Sequence, residues 1–299
     1  MAYALFLLVC FIWGSSFILM KKAALVFGPV TVGAWRLAAG AAVLAVVWWW
    51  QGHRVSLTRG DLWRVVFVSL VGYVGPYSLQ PLLVARHGSG FVAMTVSFVP
   101  LLTIVVGIFM LRTWPTPRQF LGVAGGLVCM GLMLADGRAR DVPLGDMALA
   151  LSVPASYSVV NTYIRQRLRH VPALELTLWM LVVGGLALLP LAAVLPTERI
   201  DATRGVALEQ AVASLVALGV FGTGLAIAVF NKLIQEQGPL FAGMVTYVIP
   251  VGALIWAWVD GEHITRMQLL ALSGIFLMVA IVQYKAAHRE PTREVVEAP

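Results

Sequence analysis

Ten apolar runs, each close to the length that crosses a hydrocarbon core, follow one another through almost the whole chain: 3–20, 30–50, 63–84, 91–111, 118–135, 144–163, 174–195, 208–230, 240–259 and 266–284. A bilayer-spanning helix needs about 20 apolar residues at 1.5 Å rise each. Short linkers separate the runs and carry turn residues, among them Gly28-Pro29, Gly52, Gly88, Pro115, Pro172 and Gly238-Pro239. Within a membrane every backbone N–H and C=O must be satisfied by the protein itself, so only helices and closed barrels span it. These runs are too long and too uniformly apolar for barrel strands. They predict an all-α integral membrane protein of ten transmembrane helices. The run 208–230 is the least regular, because Gly219, Gly222 and Gly224 interrupt it.

Composition excludes the soluble classes. Hydrophobic residues make up 60% and charged residues 12%, where a soluble domain carries roughly 25% charged residues. Ten spans use about 200 residues, so the 299-residue chain has short connections and no room for a soluble catalytic domain. The net charge of +7 forms no basic stripe, so no nucleic-acid partner is expected. Cys10 and Cys129 lie in apolar runs without a CxxC and read as packing residues. The N-terminus lacks a basic n-region and a small-residue cleavage site before Lys21, and reads as a retained first helix. With the N-terminus inside, twelve lysines and arginines face the cytoplasm and eight face outward. This bias favours cytoplasmic N- and C-termini. A short charged tail, 286–299, follows the last run.

The chain repeats itself. Gly88, Phe91, Met94 and Pro100 return as Gly238, Phe241, Met244 and Pro250; Gln119 and Gly125 return as Gln268 and Gly274; Trp13 answers to Tyr157. The expected division is a first five-helix repeat over 1–141 and a second over 142–285. Five is odd, so the second unit must lie inverted relative to the first. Inverted repeats are typical of secondary transporters, with the substrate near the midplane between them.

No HExxH, GxSxG, CxxC or Walker lysine occurs. The five histidines, His53, His87, His170, His263 and His288, all fall at run ends, in loops or in the tail. No run has a carboxylate near its middle; Glu175 and Glu209 lie just inside run ends. No enzyme activity, cofactor or metal is therefore expected, and a proton antiporter for organic cations is disfavoured.

What the runs offer instead is neutral polarity beside aromatics. Ser69, Tyr73, Tyr77 and Gln80 share one helical face, and Gly75-Pro76 and Pro81 are expected to interrupt that helix and free backbone carbonyls. Pro154, Tyr157 and Asn161 share a face of the sixth run, and Trp13 and Ser16 one of the first. Thr95, Ser97, Thr246 and Tyr247 lie just before Pro100 and Pro250. The substrate-binding candidates are Trp13, Ser16, Tyr73, Tyr77, Gln80, Ser97, Tyr157, Asn161, Thr246 and Tyr247. The hinge candidates are Pro76, Pro100, Pro154 and Pro250, each lacking a backbone donor. Any one serine or threonine can instead bond back to its own helix. Trp48, Trp49, Trp50, Trp63, Trp114, Trp256 and Trp258 lie near run ends and read as interface anchors. Gly122 and Gly126 form a GxxxG that favours close packing. Arg36 is the one charge well inside a run. Three roles are open to it: snorkelling outward, holding an anionic group or holding a loop. A structural role is the expected one.

Trp13-Gly14-Ser15-Ser16-Phe17 with Lys21-Lys22, then Pro29 and Arg36-Leu37-Ala38-Ala39, resemble the EamA-type members of the drug/metabolite transporter superfamily. Pro100, Pro250, and Gly261-Glu262 leading to Gln268 and Gly274 fit the same pattern, which extends to residue 285. The resemblance implies ten helices, inverted repeats and export of small metabolites such as amino acids from the bacterial cytoplasm. One departure is Arg112, which stands where the family commonly has a glutamate equivalent to Glu262. The expected function is an inner-membrane exporter working by alternating access, monomeric, with a zwitterionic or neutral small-molecule substrate and the lipid bilayer as surroundings. A nucleotide-sugar or drug carrier on the same fold, or a membrane-embedded enzyme or lipid-handling protein, are the competing readings.

Overall fold

A computed structural model describes residues 2–52, 54–112, 114–135, 142–194, 208–259 and 266–283. Arg138, Gly261, Glu262, Lys285 and the tail 286–299 lie outside them. The described residues are helical nearly throughout, and the order is α1 (Ala2–Ala24), α2 (Pro29–Trp50), α3 (Arg59–Ser69), a π-helical turn (Leu70–Val74), α4 (Gly75–His87), α5 (Ser89–Val96), α6 (Val99–Leu111), α7 (Pro117–Ala135), α8 (Leu144–Arg167), α9 (Ala173–Val194), α10 (Leu208–Ala217), a second π-helical segment (Leu218–Leu225), α11 (Ala226–Gln237), α12 (Pro239–Gly243), α13 (Val245–Val259) and α14 (Arg266–Gln283). Among the described residues, seven helical stretches are long and apolar enough to cross a membrane: Ala2–Ala24, Pro29–Trp50, Arg59–His87, Ser89–Leu111, Ala173–Val194, Leu208–Gln237 and Pro239–Trp256.

Local chemistry sets the ends. Pro29 occupies the first turn of α2, where its missing N–H is harmless. Thr58 and Asp61 form a reciprocal capping box on α3. Lys21 and Lys22 close α1, and Arg165 and Arg167 close α8, where cations complement the helix dipole. Gly88 and Gly238 adopt φ 87° and 93°, a turn that costs a side-chain-bearing residue strain. Each turns the chain directly from one helix into the next.

Two interruptions differ from expectation. Gly75-Pro76 and Pro81 do not break their helix. Pro76 cannot donate to the carbonyl four residues back, and the helix passes this point through the wide π-helical turn Leu70–Val74. Gly219, Gly222 and Gly224 likewise lie within the continuous stretch Leu208–Gln237, in its π-helical segment. They let neighbours approach: a side chain at Gly219 would strike Ala39 of α2, and one at Gly222 would strike Ser16 of α1.

The helices pack α2 against α9, α1 against α13, α6 against α8 and α7 against α14. One continuous apolar core runs through the bundle. Gly126 of the GxxxG lies against the Tyr247 ring, where a Cβ would come within 2.9 Å. Trp49, Trp50, Trp63, Trp114 and Trp258 are exposed, as interface anchors must be. Trp256 is half-buried and donates to the Ser15 hydroxyl.

A Cβ on Gly33 of α2 would strike the Tyr77 carbonyl of α4, which Pro81 leaves without its usual helical donor. A Gly33→Ala substitution is expected to destabilise the protein by about 2 kcal/mol, as overpacking against rigid backbone does. Gly75→Ala meets nothing within 4 Å and is expected to be neutral or to stabilise by up to about 1 kcal/mol. Thermal unfolding of the detergent-purified variants checks both.

Candidate functional site

A chamber lies between the helices, walled by α1, α2, α4, α5, α6, α8, α11, α13 and the first π-helical turn. Its lining comprises Trp13, Ser16, Phe17, Met20, Arg36, Gly72, Tyr73, Tyr77, Gln80, Val96, Val99, Tyr157, Val160, Asn161, Ile227, Phe230, Asn231, Thr246 and Ile249. Its volume is ≈ 80 Å³, and one enclosed water takes about 10–15 Å³ of such space. It therefore holds roughly five to eight waters, the bulk of a small amino acid. No Asp, Glu or His is on its wall.

Eight of the sequence-selected residues meet here: Trp13, Ser16, Tyr73, Tyr77, Gln80, Tyr157, Asn161 and Thr246. Helical spacing on α1, on the first π-helical turn with α4, and on α8 brings seven of them to one centre, and α13 adds Thr246. The Tyr73 and Tyr77 rings lie 5.5 Å apart and tilted, and Trp13 packs 4.8 Å from Phe230. The Trp13 indole N–H donates to the Gly222 carbonyl at 2.9 Å, within the second π-helical segment. Asn231 donates to the Thr177 hydroxyl at 2.8 Å. Ser16 bonds back to Ile12, and Ser69, behind Tyr73, bonds back to Val65.

Two selected residues are elsewhere. Ser97 is fully buried at the junction of α5 and α6 and donates to the Thr246 carbonyl at 2.6 Å. That carbonyl is the one Pro250 cannot reach with an N–H, so Ser97 acts as the substitute donor. Tyr247 is fully buried and donates to the Val123 carbonyl of α7 at 3.1 Å. It turns away from the chamber because the Gly126 surface receives its ring. Of the hinge candidates, Pro76 and Pro100 lie in the first turns of α4 and α6, and Pro154 and Pro250 lie inside α8 and α13.

Several lining residues were missed. Phe17 and Met20 follow Trp13 at i+4 and i+7, a spacing that alone would have found them. The repeat would have found others. Tyr77 and Ile227, Gln80 and Phe230, Val96 and Thr246, and Val99 and Ile249 stand at one constant offset. Trp13 and Tyr157, Ser16 and Val160, and Phe17 and Asn161 stand at another, and every member lines the chamber.

Arg36 is the largest departure. It is 3% exposed and on the chamber wall rather than at a loop or the lipid interface. Its Nε donates to the Thr223 hydroxyl at 3.4 Å, and its guanidinium carbon sits 4.7 Å from the Tyr77 ring centroid. The face of Tyr77 is thus occupied by the protein's own cation.

The EamA-like transporter family model matches residues 1–135 and again 145–284. The chain is 24% identical to the uncharacterized transporter YoaV of Bacillus subtilis (strain 168), over 90% of this chain and 93% of that one. It is 26% identical to the uncharacterized inner membrane transporter YedA of Escherichia coli (strain K12), over 91% and 87%. It is 25% identical to an S-adenosylmethionine/S-adenosylhomocysteine transporter of Chlamydia trachomatis serovar L2, over 95% and 90%. A solved structure described only as "Crystal structure of protein" superposes with a TM-score of 0.77 at 15% identity, covering 96% of this chain and 97% of that one; this likeness concerns the fold.

The Ser97–Thr246 tie yields a double-mutant cycle. Ser97→Ala is expected to cost about 1–3 kcal/mol, the penalty of a buried acceptor left unpaired. In a Pro250→Ala background the restored N–H can serve Thr246, and the same substitution should then cost less than about 1 kcal/mol. Equal penalties in both backgrounds, read from unfolding in detergent, would remove the substitute-donor role.

Proposed function

The chain belongs to the EamA-like transporter family, and from that premise we propose that it exports small zwitterionic metabolites across the bacterial inner membrane by alternating access. Amino acids with apolar or aromatic side chains are the first candidates. The observation that carries this reading is the chamber: aromatic rings, amides and hydroxyls on its wall, no Asp, Glu or His, and a volume suited to one small amino acid. The E. coli relative's description as an inner membrane transporter supports the location. S-adenosylmethionine and S-adenosylhomocysteine, for which the chlamydial relative is named, each carry an amino-acid head, which supports the substrate class. A nucleoside-bearing ligand of that size would require this chamber to widen.

The same reading includes ten membrane crossings in two inverted five-helix units, 1–141 and 142–285, with both termini cytoplasmic. Two successive family matches, the equivalent glycine turns at Gly88 and Gly238, and the paired lining positions all support the repeat. Alternating access would pivot at Pro76, Pro100, Pro154 and Pro250, where helical hydrogen bonds are missing. A chamber without a group that titrates near neutral pH has no carrier for obligatory proton exchange. Substrate would therefore leave down its own gradient.

Two measurements test these statements. Reporter fusions after Arg138 and after Lys285 are expected to give opposite signals; the same signal at both removes the inverted ten-crossing topology. In proteoliposomes with the membrane potential clamped, counterflow of leucine or phenylalanine is expected, with no uphill accumulation under an imposed pH gradient. Accumulation driven by that gradient overturns the facilitative mechanism. Absence of counterflow for every amino acid tried overturns the substrate class.

A further inference from the structure

The chamber suits a neutral occupant everywhere except at Arg36. A guanidinium keeps its charge and presents five N–H donors in a planar fork. Here the residue that carries the charge is only 3% exposed. Among the described residues no carboxylate meets it. Thr223 accepts from Nε at 3.4 Å; among the described residues Nη1 has only the Met20 thioether at 4.0 Å and Nη2 has no acceptor. The Tyr77 face supplies a cation–π contact, which offsets part of the lost hydration but satisfies no N–H. A buried charge with its partner missing is strongly destabilising. The terminal nitrogens also form the edge that pairs two-pronged with carboxylates elsewhere in proteins.

The repeat sharpens the point. Much of the lining comes in equivalent pairs, yet Arg36 has no mate: Met180 and Leu186, at the two repeat offsets from it, are not on the wall. The charge therefore makes the chamber one-sided, and a ligand entering it is oriented. Snorkelling does not account for it, since the side chain reaches inward; nor does a loop contact, since its partners lie on α1, α4 and the second π-helical segment.

We propose that Arg36 receives the carboxylate of the transported substrate, with Thr223 and Tyr77 holding the guanidinium in place. This rests on the transport reading above and narrows it: the site selects small carboxylates, amino acids among them, and rejects the corresponding amides and amines. The ammonium end of an amino acid then points away from Arg36, toward the rings and amides of Trp13, Tyr157 and Asn161.

The test uses the full chain in detergent and four probes of one shape: L-leucine, L-leucinamide, 3-methylbutylamine and 4-methylpentanoate. The wild type is expected to gain thermal stability with leucine and with 4-methylpentanoate and to show no gain with the amide or the amine. Arg36→Lys keeps the charge but not the fork, and should weaken carboxylate binding by about tenfold or more, the loss of one charge-assisted hydrogen bond. Arg36→Gln should abolish the response. Arg36→Met, without ligand, should unfold at or above the wild-type temperature, because an unpaired charge has been removed; a purely structural arginine would give a lower one. A wild type that responds equally to leucine and leucinamide, or to neither carboxylate, overturns the assignment, as does an Arg36→Gln variant that keeps its carboxylate response. The two readings separate cleanly. Carboxylate stabilisation without leucine counterflow in liposomes leaves the Arg36 assignment and removes leucine transport. Equal counterflow of leucine and leucinamide leaves transport and removes the assignment.

Discussion

The structure depends on satisfying backbone carbonyls where no water is at hand. In hydrocarbon an unpaired carbonyl costs several kcal/mol, yet this bundle places prolines and π-helical turns at the level of its chamber. Ser97 and Trp13 reach across to carbonyls at such sites, and Tyr247 reaches one in the regular helix α7. Ser97 donates to Thr246, Trp13 to Gly222 and Tyr247 to Val123. Each joins an early helix to a late one. The irregularities that shape the chamber are thus also the points that tie the first half of the chain to the second. Polar groups engaged in those ties are unavailable to a ligand. Ser97 and Tyr247 are engaged in this way outside the chamber, whereas Trp13 is engaged on its wall and offers a ligand its ring rather than its N–H.

The helical membrane architecture was legible because runs of about 20 apolar residues admit few alternatives. Part of the chamber was legible as well, since Trp13, Tyr77 and Tyr157 stood out as polar-tipped aromatics deep in apolar runs, and helical spacing gathered some of their neighbours. What misled the reading of Ser97 and Tyr247 was proximity to proline. Nearness in sequence to a break places a residue at the right depth but does not say which way it faces. The prolines misled in a second way: Pro76 predicts a lost hydrogen bond, but the sequence does not distinguish a broken helix from a π-helical turn that absorbs the loss. Arg36 was visible as an anomaly. Its surroundings were not, because Thr223 and Met20 lie far from it in the chain and only the packing of α1 and the second π-helical segment against α2 brings them close.

The acids have gone to the bundle's ends. Glu175, in the first turn of α9, accepts from the Ser56 and Leu57 N–H groups and from the Ser56 hydroxyl. Asp61, at the start of α3, meets Thr58, Arg64 and His170 beyond the end of α8. Asp146, at the start of α8, meets Arg86 and His87 at the end of α4. The antiparallel pair formed by α3–α4 and α8 is therefore clamped at both ends by a carboxylate bridged to a histidine, with the chamber between.

This arrangement has an electrostatic consequence. A carboxylate placed beside Arg36 would neutralise it and leave the chamber indifferent to the charge of its occupant. With every described acid near a helix end and none on the chamber wall, the field inside the chamber comes from one arginine and from fixed dipoles. Contacts near water are weakly stabilising and readily exchanged, whereas the same charges in the middle of the bundle would be strong and slow to separate. Under the transport reading, the protein keeps its exchangeable ion pairs at the rims, where opening must occur. The charge of Arg36 sits on the chamber wall, where a passing anion can meet it for only part of the cycle.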